Sequence, residues 1–112
     1  MSKDTGFSIS SAERYSLALF ELSEENNLLK KIEEQSLSML NLINQSKDFI
    51  NLIKDPTISQ EDLSKVINKL AENNKFDNLF KNFLNFLIQK RRFFFLERIL
   101  KSFIEICSKK RG

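Results

Sequence analysis

Few side chains in this 112-residue sequence could carry out chemistry, and their types set narrow limits. There is no histidine and only one cysteine, Cys107. A Ser-His or Cys-His nucleophile therefore cannot be assembled, nor can a zinc site of ordinary ligand spacing. The two glycines, Gly6 and Gly112, lie outside any run with phosphate-cradling spacing, so Walker-type and dinucleotide-type loops are missing. Three carboxylate pairs remain for acid–base work: Glu24-Glu25, Glu33-Glu34 and Glu61-Asp62. Each sits among polar residues on the outer face of an expected helix or at its start, where solvation and the helix dipole account for it. Nothing around them promises the burial that shifts a pKa. The chain reads as a non-enzyme with no metal and no cofactor.

Two basic clusters, Lys90-Arg91-Arg92 and Lys109-Lys110-Arg111, have the chemistry to contact phosphates, and Phe93 to Phe95 could stack on bases. Phenylalanines at core spacing at the start of a helix read more simply as core, and cations at a helix end complement its free carbonyls. The net charge is +3, from 18 basic and 15 acidic side chains interspersed along the chain, a weak electrostatic footprint. No nucleic-acid partner is expected, and an RNA-associated basic helical module stands as an alternative. Cys107, among apolar helical neighbours, reads as a small core residue in a reducing compartment.

The elements that must position these residues are helices. Two glycines and one proline are too few turn-makers for a β domain, and 41% hydrophobic residues suffice for one core. The fold expected is all-α, a compact six-helix bundle. The longest apolar run, Phe93 to Leu96, is far short of the ~18 residues of a membrane span. The opening MSKDTGFSIS has neither the apolar stretch of a secretory signal nor an arginine-rich transit pattern. A soluble protein that stays where it is made, without membrane insertion, is expected.

Residues 1–9 read as a flexible lead-in, 10–108 as the bundle and 109–112 as a basic tail. Ser10 and Glu13 have capping-box spacing, which places the start of the first helix there and its end near Asn26. Ala12, Tyr15, Ala18, Leu19 and Leu22 form one stripe on it, with Leu17 and Phe20 on another flank. A second helix covers 28–45 and a third 47–54, the latter stopped at Asp55 by Pro56. Ser59 caps the fourth, and Asn73 and Asn74 suit its left-handed end. The fifth runs from about Asp77 to Lys90, with apolar residues over half its wheel, where a docked surface helix needs only ~100°. After a turn at Arg91-Arg92 a sixth helix runs to Cys107. The first and fifth helices thus carry more apolar surface than docking on a core requires.

The order of these pieces resembles the amino-terminal helical domain of the delta subunit of the F-type ATP synthase, the relative of the mitochondrial oligomycin-sensitivity-conferring protein. Four stretches carry the resemblance. Ala12-Glu13-Arg14-Tyr15-Ser16-Leu17-Ala18-Leu19-Phe20 is similar to the family's opening pattern of tyrosine, a small residue three on and phenylalanine two beyond. Leu52-Ile53-Lys54-Asp55-Pro56-Thr57-Ile58-Ser59 resembles its short helix, proline break and capped next helix. Asn82-Phe83-Leu84 through Gln89-Lys90-Arg91-Arg92-Phe93 resembles its asparagine, apolar stretch and Asn-Gly-Arg-Leu. Phe103 in the last helix matches a common aromatic position. Arg92 matches the family's arginine, but Arg91 stands where the family has glycine, which puts a tight left-handed turn there in doubt.

The resemblance implies a stator role in the peripheral stalk, at the cytoplasmic face of the bacterial inner membrane. It implies that a groove between the first and fifth helices receives the amino-terminal helix of an alpha subunit of the catalytic head. Tyr15, Ala18, Leu19 and Leu22 would form one wall and Leu79, Phe83 and Phe86 the other, with Ala18 small enough for close backbone approach and Phe83 and Phe86 as anchors. The family's delta subunit is longer, and a carboxy-terminal segment absent here engages the peripheral-stalk b subunits. Besides the RNA-associated module, two readings compete with this one: a self-associating helical adaptor, and a bundle that simply buries both wide stripes.

Overall fold

The computed structural model describes residues 3–112, with side chains from Ser11 onward. Six α-helices and one short 3₁₀ turn account for the described residues, with no strand among them: α1 (Lys3–Glu25), α2 (Leu29–Gln45), α3 (Lys47–Lys54), α4 (Gln60–Asn73), α5 (Asn78–Gln89), the turn Phe93–Phe95, and α6 (Leu96–Arg111). The all-α bundle expected from the turn-poor composition is what forms. Local polar chemistry sets several starts. The Ser46 hydroxyl accepts from Phe49 N–H at 3.1 Å, the Ser59 hydroxyl from Asp62 N–H at 3.0 Å, and the Asp77 carboxylate from Leu79 N–H at 2.9 Å. Each satisfies a backbone donor that has no partner inside the helix.

Both ends of the chain depart from expectation. α1 begins at Lys3, so Ser10 lies inside the helix instead of capping it. The preceding residues include no proline, and Gly6 costs only about 1 kcal/mol relative to alanine in a helix, too little to stop it. At the other end α6 continues through Arg111, so the basic residues form a last helical turn instead of a tail. Cations there face the negative end of the helix dipole, and the Arg111 guanidinium pairs with the Glu33 carboxylate on α2.

Three helices end on left-handed residues that are not glycine: Asn27 (φ 58°), Lys75 (φ 55°) and Arg91 (φ 58°). In each case the next residue's N–H reaches the carbonyl five positions back, Leu28 to Ser23, Phe76 to Ala71 and Arg92 to Leu87, all at 2.8 Å. These bonds close Schellman motifs. The tight turn at Arg91 therefore forms with an arginine in the glycine position. At the end of α4 the left-handed residue is Lys75, not Asn73 or Asn74. Asn74 instead terminates the helix, its backbone N–H and side-chain amide both donating to Leu70 O.

α6 is the central element, lying against α1 and α2 with Ile99, Leu100 and Phe103 fully buried. The core stripe of α1 is Ala12, Ser16, Leu19, Phe20 and Ser23, all buried. Ser16 Oγ lies 2.6 Å from Ala12 O and 3.0 Å from Ile99 O, and Ser23 Oγ donates to Leu19 O at 2.7 Å. Small side chains whose hydroxyls are satisfied by backbone carbonyls let α1 approach α6 closely without an unpaired polar group. α5 packs on α4, where the Gln60 amide donates to Ile88 O at 2.9 Å and occupies a carbonyl at the end of α5.

Candidate partner-helix groove

Side-chain contacts tie α5 to α1 and to the first turns of α2. At one end the Tyr15 and Phe86 rings meet edge to face, centroids 6.0 Å apart. At the other, Asp77 at the head of α5 is tied to α2 just beyond the end of α1, its carboxylate 3.4 Å from Lys31 Nζ and its N–H donating to Gln35 Oε1 at 3.0 Å. Between these ties the outer flanks of the two helices present apolar atoms to solvent. Phe86 is 41% exposed and Leu22 44%; Ala18 is exposed, and Tyr15 and Leu79 are half-buried.

Two of the seven expected wall residues are placed elsewhere. Leu19 is 0% exposed and Phe83 5%, both part of the core. Leu19 continues the Ala12–Ser16–Ser23 stripe that faces α6, and Phe83 joins Phe80, Leu84 and Leu87 on the buried side of α5. Of the five others, Ala18, Leu22 and Phe86 are exposed and Tyr15 and Leu79 half-buried. Two residues absent from the expected site border it. Asn82, one turn from both Leu79 and Phe86, is exposed, and Lys90 holds its ammonium 5.7 Å from the Phe86 ring centroid. The i, i+4 spacing of Phe86 and Lys90 was the available signal for the second. Leu17 is 48% exposed.

The chemistry weighed on the sequence is placed as follows. Cys107 is buried, and its thiol is pushed up to about 11, first by burial and then by the Glu33 carboxylate, with Arg111 partly opposing. Among the described residues no group of three His, Cys, Asp or Glu side chains could hold a metal ion, and no helix is long and apolar enough to cross a membrane. Of the three consecutive phenylalanines, Phe93 is core, Phe95 half-buried and Phe94 53% exposed. Phe94 borders an apolar cleft of about 430 Å³ with Ile53, Pro56 and Ile58.

A bundle with this helix order has known counterparts. The family model described as ATP synthase delta (OSCP) subunit matches residues 12–112. The chain belongs to this family. Over its whole length it is 55% identical to an ATP synthase subunit delta of Pelagibacter ubique, covering 60% of that protein. Over 101 residues, 90% of the chain, it is 32% identical to the ATP synthase subunit delta of Rhodospirillum rubrum, covering 54% of it. A chain in the structure of the Toxoplasma gondii mitochondrial ATP synthase hexamer superposes with a TM-score of 0.79 at 29% identity, over 82% of this chain and 51% of that one. The chain thus spans little more than half the length of the delta-family relatives it matches, and the resemblance carried by its four sequence stretches holds.

Proposed function

We propose that the protein is the head-gripping part of a stator in an F-type ATP synthase, a non-catalytic peripheral-stalk component on the cytoplasmic side of the bacterial inner membrane. Its partner is the amino-terminal helix of an alpha subunit, seated along the flank between α1 and α5. The observation that carries this reading is Tyr15, Ala18, Leu22, Leu79 and Phe86 left accessible on adjoining helices of a delta-family bundle. An amphipathic helix laid in such a groove buries its own apolar face and completes theirs, a recurring mode of recognition. Leu22 and Phe86 act as anchors. Leu19 and Phe83 support the site from below, and Ala18 leaves room for a helix backbone. The b subunits are engaged by the part of the relatives that extends past the matched region. In this arrangement the protein performs no chemistry; it holds the catalytic head still against the turning rotor.

Calorimetric titration with a synthetic peptide of the first ~25 residues of the cognate alpha subunit, a helix of roughly 35 Å, tests this. One-to-one saturable binding with a negative heat-capacity change is expected, since apolar surface is buried. Absence of binding to the folded protein would refute the reading. A steep fall of RNA affinity with salt would support a phosphate-binding module instead.

A further inference from the structure

Four exposed charges beside the open flank, two on each side of its middle, are sorted by sign. At the Tyr15–Phe86 end stand Arg14, one residue before Tyr15, and Lys90, whose ammonium lies 5.7 Å from the Phe86 ring centroid. At the Leu22–Leu79 end stand Glu21 and Glu25. On the α1 wheel Arg14, Ala18, Glu21 and Glu25 follow one another at three- and four-residue steps, so they border the groove along a single line. All four charged groups are exposed, and among the described residues none pairs with an opposite charge; the ion pairs found there are Lys31–Asp77, Lys65–Glu61, Lys101–Glu97 and Arg111–Glu33. Intramolecular pairing therefore does not account for their placement. Resting on the partner-helix reading above, we propose that the groove is electrostatically graded. It selects an amphipathic helix with acidic side chains where it crosses Tyr15 and Phe86, and basic side chains where it crosses Leu22 and Leu79.

Charges at the border of an interface act mainly on encounter, register and rejection of wrong partners, and only modestly on affinity. The gradient thus fixes which way round and at what register the partner helix lies, a choice that a purely apolar groove leaves open. A partner with uniform charge gains at one end and loses at the other.

The test titrates the cognate alpha-subunit peptide against four forms of the protein: the native chain, Arg14→Glu/Lys90→Glu, Glu21→Lys/Glu25→Lys, and the quadruple variant that inverts both ends. Salt is set at about 0.01 M and about 1 M, where screening lengths are ~30 Å and ~3 Å. Both double variants are expected to bind about threefold to tenfold more weakly at low salt, the quadruple variant more weakly than either, and all four forms to converge at high salt. If net charge alone mattered, one double variant would bind more tightly and the quadruple variant would match the native chain; that result overturns the gradient. Equal affinities for all four forms at low salt overturn it too. Loss of binding in Phe86→Asp together with equal affinities across the charge variants would leave the groove standing without its gradient, whereas no binding by the native chain removes the groove itself.

Discussion

Replacing Phe86 by aspartate separates a groove residue from a core residue. In the free protein the side chain is 41% exposed. Full burial of a phenylalanine is worth about 1.5–3 kcal/mol, so about two-fifths of that, roughly 0.6–1.2 kcal/mol, remains to be gained when a partner covers the ring. Truncation to alanine should cost that much in binding, about threefold to eightfold in Kd. Aspartate adds the cost of desolvating a carboxylate against an apolar helix face, and takes the loss beyond tenfold.

The effect on folding is separately calculable. Phe86→Asp removes an edge-to-face contact with Tyr15, worth about 0.5–1.5 kcal/mol, and a cation–π contact with Lys90, worth about 0.5–1 kcal/mol at an exposed site. An aspartate four residues before Lys90 returns a few tenths of a kcal/mol as a helical ion pair. With the roughly 0.9–1.8 kcal/mol of burial lost from the three-fifths of the ring already covered, net destabilisation of about 2–4 kcal/mol is expected, which leaves a domain of ordinary stability folded. Circular dichroism and thermal melting should show the native helical signal with a lowered midpoint, while calorimetry with the alpha-subunit peptide shows the affinity loss. Collapse of the helical signal would make Phe86 a core residue. Unchanged affinity in a folded variant would move the groove off α5.

Other outcomes follow from single features. Arg91→Gly should raise the midpoint of melting by roughly 4 °C, because a non-glycine residue in the left-handed region costs about 1–2 kcal/mol and glycine adopts it freely; a lower midpoint would mean that the Arg91 side chain contributes contacts outweighing the strain. Ser36→Ala should stabilise by about 1 kcal/mol in urea unfolding, since the buried Ser36 hydroxyl has no hydrogen-bond partner among the described residues, whereas Ser16→Ala should destabilise by a similar amount through loss of its carbonyl contacts. Cys107, buried and with its pKa pushed up to about 11, should resist an aromatic disulfide reagent at pH 8 in the folded protein, where on the order of a thousandth is thiolate, and react at once in denaturant. Rapid modification without denaturant would show that α2 and α6 open readily around it.

Much of the bundle was legible because its boundaries are set by local chemistry. Pro56 ends α3, Ser59 and Asp77 accept from the first free N–H groups of α4 and α5, and apolar residues recur at helical steps in between. The start of α1 was not legible, because a capping-box spacing can equally occur inside a helix and only the residues before it decide. The left-handed ends at Lys75 and Arg91 were missed or doubted for a related reason. A Schellman motif is closed by backbone bonds that any residue can make if the strain is offset, and the sequence names only the residue that makes the motif cheap.

The groove shows a different kind of limit. On α1 the apolar arc runs without interruption from Leu19 through Tyr15 to Leu22, and on α5 from Leu87 through Phe83 to Leu79, so no change of residue type marks where core stops and open flank begins. On α1 that boundary is set by α6. Where it lies against α1, the stripe facing it contains Ser16 and Ser23, which hydropathy scores as surface although both are buried with their hydroxyls on carbonyls. Leaving the serines out of the core stripe rotates its apparent centre toward Tyr15, and Leu19 then looks available. Restoring them turns the core face by about one residue and leaves Ala18 and Leu22 exposed and Tyr15 half-buried against Phe86. On α5, which packs on α4, Phe83 lies inward with Leu84 and Leu87 while Leu79 and Phe86 stay partly open. A wide apolar arc therefore does not by itself mark the core; on α1 the two buried serines on the α6 side determine which side chains face inward.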